Sequence, residues 1–419
     1  MSVQYQNQLC LVDKGNQLLA PLLPERSFMQ WAEDLYFDPV PDRPNIDTKI
    51  SESHFHLLEQ LFIPGHRSIV LAMSLATMMI SSLRRRDPRI YANQHYHYRL
   101  AVFSNKVNAR NLKDMPWIGE SASGAIIRGP TGSSKSHSCD AFLRLLPQYV
   151  DHAASEECGW IKLRQLVYLR VPMPADSSRK GLLLNIIWKI DEALHTAYGK
   201  EIGNRITQEQ LLVETLKILT IHRCGILILE EVQERNVSSQ VLGSEFSTLF
   251  LKILNAGIPL VLVGNPMSFD RIMSFSQDQR RLTTGGQFDF TPAFDHNDEE
   301  WRFDLVPGIW GWSILPEKDE PIDDLSRLLF DRTGGIPGVL SLYRRECLIE
   351  AFRAGSKRVM RSHVDAAFWS PSMTGMHALI DAYRKKDLHT LALKFSDQPI
   401  AFLRDIWEAE LRKRKNGAW

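Results

Sequence analysis

The run Gly129-Pro130-Thr131-Gly132-Ser133-Ser134-Lys135-Ser136 has the residue types and spacing needed to hold a chain of phosphates. Its glycines allow a tight turn, so that successive backbone N–H groups point at one place and bind an anion there. A helix beginning at Lys135 adds its own N-terminal N–H groups and the positive end of its dipole. Lys135 would reach the terminal phosphates, the Ser136 hydroxyl would hold magnesium, and His137 follows on the first turn. The apolar run Ala125-Ile126-Ile127 enters the loop, and the spacing predicts a helix over residues 135–146 leaving it. That strand–turn–helix context separates a phosphate loop from a Gly/Ser-rich turn that happens to precede a helix. One position departs from the pattern. Ser134 stands where a glycine is usual, and its Cβ crowds the backbone near the phosphates.

A second constellation lies downstream. Gly225-Ile226-Leu227-Ile228-Leu229-Glu230-Glu231 reads as a buried strand ending in two carboxylates. The first would support magnesium and the second would orient or deprotonate an attacking water, the Walker B arrangement. Asp-Glu is the commoner pair; the extra methylene of Glu230 moves its carboxylate outward by about 1.5 Å. In isolation the same residues describe a strand meeting a solvated acidic turn. The strand Pro259-Leu260-Val261-Leu262-Val263 ends in Gly264-Asn265. A polar side chain at the tip of a strand between the other two could sense the γ-phosphate, though Asn265 before Pro266 also suits a plain turn. Arg280 and Arg281 follow a short helix, where an arginine either reaches a neighbouring subunit's nucleotide as a finger or ends the helix in solvent.

These groups need a scaffold, and the 419 residues allow two or three domains. Hydrophobic content of 44% and charged content of 24% are those of a globular protein. A net charge of +1 excludes a strongly basic nucleic-acid coat but not a local basic surface. The five cysteines form no Cys-x-x-Cys pair, which fits a reducing cytoplasm better than a disulfide framework. The apolar run over 69–83 is interrupted by serines and a threonine and reads as a buried helix, so no membrane is expected. The Arg84-Arg85-Arg86 cluster suits either a helix C-terminus or phosphate contacts. The His54/His56 and His95/His97 pairs lack a third ligand at metal-binding spacing and read as packing or surface histidines. Residues 111–315 alternate strand and helix, which gives an α/β core with a parallel sheet flanked by helices. A second strand is expected at 165–170, with helices over 182–197 and 208–222. Before the core lies a mostly helical extension, 1–110. After it come a small helical lid, 316–370, and a tail, 371–419, whose basic end reads as solvated or as a partner-binding peptide.

Four stretches make the chain resemble the AAA+ ATPases, and within them the TnsC/TniB-type regulators of bacterial Tn-seven-like transposition. They are residues 129–136; Leu227-Ile228-Leu229-Glu230-Glu231-Val232-Gln233; Gly257-Ile258-Pro259-Leu260-Val261-Leu262-Val263-Gly264-Asn265; and residues 279–286. The lid stretch Thr333-Gly334-Gly335-Ile336-Pro337 agrees. The resemblance implies a P-loop AAA+ fold that binds ATP and Mg2+ and assembles as a ring or helical filament on double-stranded DNA. It further implies coupling of a target-selector protein (TniQ/TnsD-like) to a transposase (TnsA/TnsB-like), with hydrolysis controlling disassembly, in a bacterial, nucleoid-associated setting. Carried over by position, residues 129–137 bind nucleotide, Ser136 and Glu230 hold the metal, and Glu231 activates water. Asn265 senses phosphate, Arg280 or Arg281 acts across subunits, and Arg179, Lys180 and Arg235 face DNA phosphates. The altered positions Ser134 and Glu230 keep open a nucleotide-gated scaffold with little hydrolysis. A related replication-initiation or defence ATPase is a further alternative. The usual lid arginine after Gly338 is not evident, and Arg344 and Arg345 lie one turn later.

Overall fold

The computed structural model describes residues 13–41, 50–104, 112–117, 121–174, 178–202, 206–232, 240–272 and 276–415. The chain forms two compact units. The first draws on residues up to Phe28, Val70–Arg128 and Phe142–Asp289; the second on Met29–Ile69, Gly129–Ala141 and Phe290–Trp419.

The first unit is built on a five-stranded parallel sheet. Its strands are β1 (Gly124–Arg128), β4 (Leu169–Pro172), β5 (Leu227–Val232), β6 (Leu260–Gly264) and β7 (Gln287–Asp289), in the order β4-β5-β6-β1-β7. Parallel pairing needs long crossovers, and helices supply them: Arg179–Leu194 and Gln208–Ile221 between β4 and β5, and Gln240–Asn255 between β5 and β6. The helices cover the sheet, so its strands are apolar runs rather than alternating ones; all five residues of β6 are buried. Leu227, Leu229, Leu260 and Leu262 pack with Ile186, Ile190 and Leu216 in one core. The helix His66–Arg85 buries Leu71, Leu75, Met79 and Leu83. Its 20 residues are long and apolar enough to cross a membrane by length and composition, and half of its most apolar window is buried inside the fold.

The single strand expected at 165–170 is two. β3 (Leu163–Leu166) pairs antiparallel with β2 (Tyr149–His152) outside the main sheet, and β4 joins β5. Between them, the Leu166 N–H donates to the His222 carbonyl (2.8 Å) and the Val167 N–H to the Gln148 carbonyl (2.9 Å), which redirects the chain.

The second unit is helical. Its buried core takes Phe55 and Leu58 from the N-terminal part, Trp301, Trp310 and Trp312 from beyond the sheet, and Leu340, Tyr343, Ile380 and Leu403 from the C-terminal helices. Segments that read in sequence as extension, lid and tail therefore contribute to one core. The basic end is a helix, Ile400–Lys415, tied down by Arg414: its guanidinium pairs with Asp295 and Glu410 and lies 4.5 Å from the Phe294 ring centroid.

Packing at the tip of β6 is tight. A Cβ on Gly264 would come 2.1 Å from the Val232 carbonyl oxygen, a backbone atom that cannot step aside. Gly264→Ala is expected to lower stability by about 1–3 kcal/mol, read as an earlier urea midpoint with an unchanged slope. An unchanged midpoint would contradict this register.

Candidate nucleotide site

β1 runs directly into the glycine-rich loop, and the helix Lys135–Arg144 leaves it. The loop closes on itself around Lys135. The ammonium donates to the carbonyls of Gly129 (2.8 Å) and Pro130 (2.7 Å), and the Ser133 hydroxyl donates to the Pro130 carbonyl (2.8 Å). Burial pulls the Lys135 ammonium down to about 8. Gly129 must be glycine, because a Cβ there would lie 2.1 Å from the Phe290 carbonyl oxygen. Gly132 sits at φ +80 and its carbonyl accepts the Gly338 N–H (2.9 Å), which joins the loop to the start of the helix Pro337–Arg353. Ser134, the departure from the usual glycine, adopts φ 66. It keeps the left-handed backbone glycine would supply, at the steric cost of a side chain. Ser136 and His137 are exposed on the first turn of the helix.

Beside the loop lies a cavity of about 360 Å³, the size of a small-molecule site. Leu61, Phe62, Ile63 and Gly65 form one wall, Leu305 and Ile309 another, and Pro337, Gly338 and Leu342 a third, with Ser133, Ser134 and His137 at the loop end. The apolar residues suit a flat base, and Glu59, Asp298 and Glu300 add carboxylates to the same lining, so the cavity beside the glycine-rich loop is mixed in character. Two cations reach the cavity. Arg67 donates to the Thr291 carbonyl (3.0 Å) and faces Glu300 at 3.8 Å. Arg345 pairs with Glu59 and lies 3.4 Å from Glu346. Arg344 does not reach it: fully buried, it pairs with Asp319 (2.6 Å) and lies 4.5 Å from the Trp310 ring centroid.

The remaining candidates sit in the first unit. β6 lies between β1 and β5, as the sensor position requires, so the C-terminal ends of these parallel strands share one edge. Glu230 is nearly buried and pairs with Arg170 of the adjacent strand. Glu231 follows at φ 55, in a register irregularity between Leu229 and Val232, and its side chain is exposed. A bulge of this kind re-aims a side chain out of the ladder. The Asn265 side-chain oxygen accepts the Met267 N–H (3.1 Å), the turn-forming role, and its own N–H donates to the Val232 carbonyl (3.1 Å). Arg281 is held by Asn255 and Ser121, whereas Arg280 is exposed. Arg179 pairs with Glu245 (3.1 Å), and Lys180 donates weakly to the Ile206 carbonyl (3.4 Å). Arg235 lies outside the described residues.

Sequence reasoning missed the wall at 61–65, Arg67 and Arg170, and it named Arg345 without separating it from Arg344. Ile63-Pro64-Gly65 just before a helix is a turn signal that could have marked the wall. Nothing local could have paired Arg170 with Glu230, since that contact depends on strand register.

Two substitutions test this geometry. Ser134→Gly removes the left-handed penalty but frees the unfolded chain, so a net gain of about 0.5–1 kcal/mol in stability is expected; a loss would show that the serine side chain contributes more than its strain. Burial raises the Glu300 carboxyl above the ordinary glutamate range despite Arg67. The folded state then holds its proton longer than the unfolded chain, and stability falls as pH rises through that window. Glu300→Gln should therefore stabilise at pH 7, with the gain shrinking as pH falls through the raised folded-state pKa and gone below the ordinary glutamate range. Thermal melts across pH check this, and a loss at pH 7 would contradict it.

Residues 119–273 match the family model described as an AAA domain. No curated protein matches the chain. Among solved structures it is similar to the Aeropyrum pernix ORC1 protein in complex with DNA, at 20% identity over 65% of this chain and 64% of that one, with a TM-score of 0.40. It is also similar to Cdc6p from Pyrobaculum aerophilum, at 12% identity over 66% of each chain and a TM-score of 0.39. A third is the Thermotoga maritima RuvB Holliday junction branch migration motor, at 10% identity over 66% and 68% and a TM-score of 0.34. The chain spans 64% and 66% of the first two, just under two thirds of each. The fold is α/β, a five-stranded parallel sheet flanked by helices, and residues 119–273 of it match the AAA-domain model.

Proposed function

We propose that this protein is an ATPase that assembles on duplex DNA as a ring or filament and regulates transposition, passing a target-selector protein's choice to a transposase. The observation that carries the nucleotide part is the loop curled around Lys135 beside a cavity with apolar walls and polar groups at its edges. The transposition part rests on the Glu-Val-Gln continuation after Glu230 and on the Gly-Ile-Pro stretch before β6. Cytoplasmic placement goes with this reading.

In it, the loop N–H groups and Lys135 bind the phosphates, with the ammonium exchanging the Gly129 and Pro130 carbonyls for phosphate oxygens. Ser136 is exposed at a helix N-terminus, and Glu230 is a fixed carboxylate, a donor set of hard oxygens that fits magnesium. Ser136 and Glu230 would hold the ion, which when bound neutralises phosphate charge. Glu231, turned out of its strand, takes the proton from the attacking water. Asn265 orients that water. Arg280, exposed where Arg281 is held, reaches across to the adjacent subunit's nucleotide. Arg179 and Lys180 contact DNA phosphates without reading sequence.

A second reading, a nucleotide-gated scaffold with near-zero turnover, is favoured by the Arg170–Glu230 pair, which occupies the metal-supporting carboxylate. Phosphate release with saturating magnesium and duplex DNA separates the two. Hydrolysis that DNA stimulates, falling at least about 100-fold in Glu231→Gln while ATP-dependent assembly on DNA persists, is the expected result. Turnover equal in both proteins would remove Glu231 from the chemistry. Assembly without turnover in the wild type would favour the scaffold. No assembly on DNA at all would overturn both.

A further inference from the structure

Among the described residues, two arginines of the first unit, Arg86 buried and Arg223 half-buried, have no acidic partner. Arg86 ends the helix region His66–Arg85 and is 2% exposed. It donates to the Ser82 hydroxyl (2.8 Å) and the Cys224 carbonyl (2.8 Å). Arg223, just past the helix Gln208–Ile221, donates to the carbonyls of Thr220 (3.2 Å) and Ile221 (2.7 Å). These oxygens satisfy only part of each guanidinium. Among the described residues, Arg86 Nη1, Arg223 Nε and both ring nitrogens of His97 are buried with no hydrogen-bond partner, and the Tyr96 and Thr220 hydroxyls have only each other.

These groups share one neighbourhood. The Tyr96 hydroxyl lies by Thr220 and within the fields of Arg86 and Arg223. The His97 ring feels both guanidiniums and sits 4.9 Å, centroid to centroid, from the Tyr96 ring. Among the described residues no carboxylate acts on either arginine. Burial brings Arg86 down to about 10, and burial together with Arg86 brings Arg223 down to about 9, so both stay charged at neutral pH. Guanidinium N–H groups only donate. The two hydroxyls and the neutral imidazole can accept hydrogen bonds, so what the cluster lacks is negative charge. A water does not supply it, and an uncompensated buried charge is strongly unfavourable.

We propose that a small inorganic anion, a halide or an oxyanion, is bound inside the first unit among Arg86, Arg223, Tyr96, His97 and Thr220. It receives hydrogen bonds from both guanidiniums, both hydroxyls and a ring N–H, and it ties together the helices His66–Arg85, Tyr91–Ser104 and Gln208–Ile221. The last of these helices leads into β5, so the anion braces the strand that carries Glu230 and Glu231. The site stands whether or not the chain hydrolyses ATP.

The test is thermal unfolding of the full chain in sodium chloride, bromide or phosphate against sodium gluconate at matched ionic strength. Each tenfold rise in the bound anion above its Kd should raise the folding constant about tenfold, a shift of roughly 3–6 °C. Gluconate should give none. Arg223→Met should lose the anion-specific rise, whereas Lys135→Ala should keep it, which excludes the phosphate loop as its source. Whether halide or phosphate acts identifies the ion. If Arg223→Met does not fold, bromide anomalous diffraction from the wild type decides, with a peak expected between Arg86 and Arg223. Equal melting in all four salts, a rise lost in Lys135→Ala, or, where the melts respond to halide, no anomalous peak there would overturn the site.

Discussion

A buried ammonium must find acceptors, and much of the candidate site follows from how Lys135 finds them. Its own loop provides two, the carbonyls of Gly129 and Pro130. To turn them inward the chain needs a residue with no Cβ at Gly129, positive φ at Gly132 and Ser134, and a buried Ser133 hydroxyl bracing Pro130. The lid enters the same network through the Gly338 N–H on Gly132. Loop, lid and the wall at 61–65 are thus parts of one packed unit. A phosphate chain would replace weak carbonyl dipoles with full negative charge, a stronger partner for a desolvated cation.

Backbone strain is present at two of the positions where chemistry is proposed. Six non-glycine residues among those described have positive φ, and Ser134 and Glu231 are two of them. Each costs free energy that only the surrounding structure can offset. At Glu231 the strain comes with a register shift that leaves Glu230 turned in, on Arg170, and Glu231 turned out. Two adjacent carboxylates thereby acquire different environments, the usual basis for giving such a pair different roles.

The strand, glycine-rich turn and helix at 124–144 and the alternation that gives a parallel sheet were legible in the sequence, because each depends on local periodicity and turn chemistry; the place of β6 between β1 and β5 followed from the motif order and not from any local signal. The continuous strand at 165–170 was misread: its apolar run is unbroken, and only long-range bonds to His222 and Gln148 divide it. The adjacent arginines Arg344 and Arg345 could not be told apart by composition. One helical step turns the first onto Asp319 in the core and the second toward the cavity. At the basic end Arg412, Lys413 and Lys415 are exposed, as the solvated reading expected, whereas Arg414 is taken up by Asp295 and Glu410, which a count of charges does not show. Residues 61–67 were missed because a wall made of Leu, Phe and Ile looks like any core segment until the fold brings a phosphate loop to it.

The most direct test of the central claim is equilibrium binding of a non-hydrolysable ATP analogue, followed by calorimetry, to the wild type and to Lys135→Ala. One nucleotide per chain, with affinity lowered at least about tenfold in the variant, is expected if the buried ammonium is the anchor. No binding by the wild type, or equal affinity in both proteins, would contradict it.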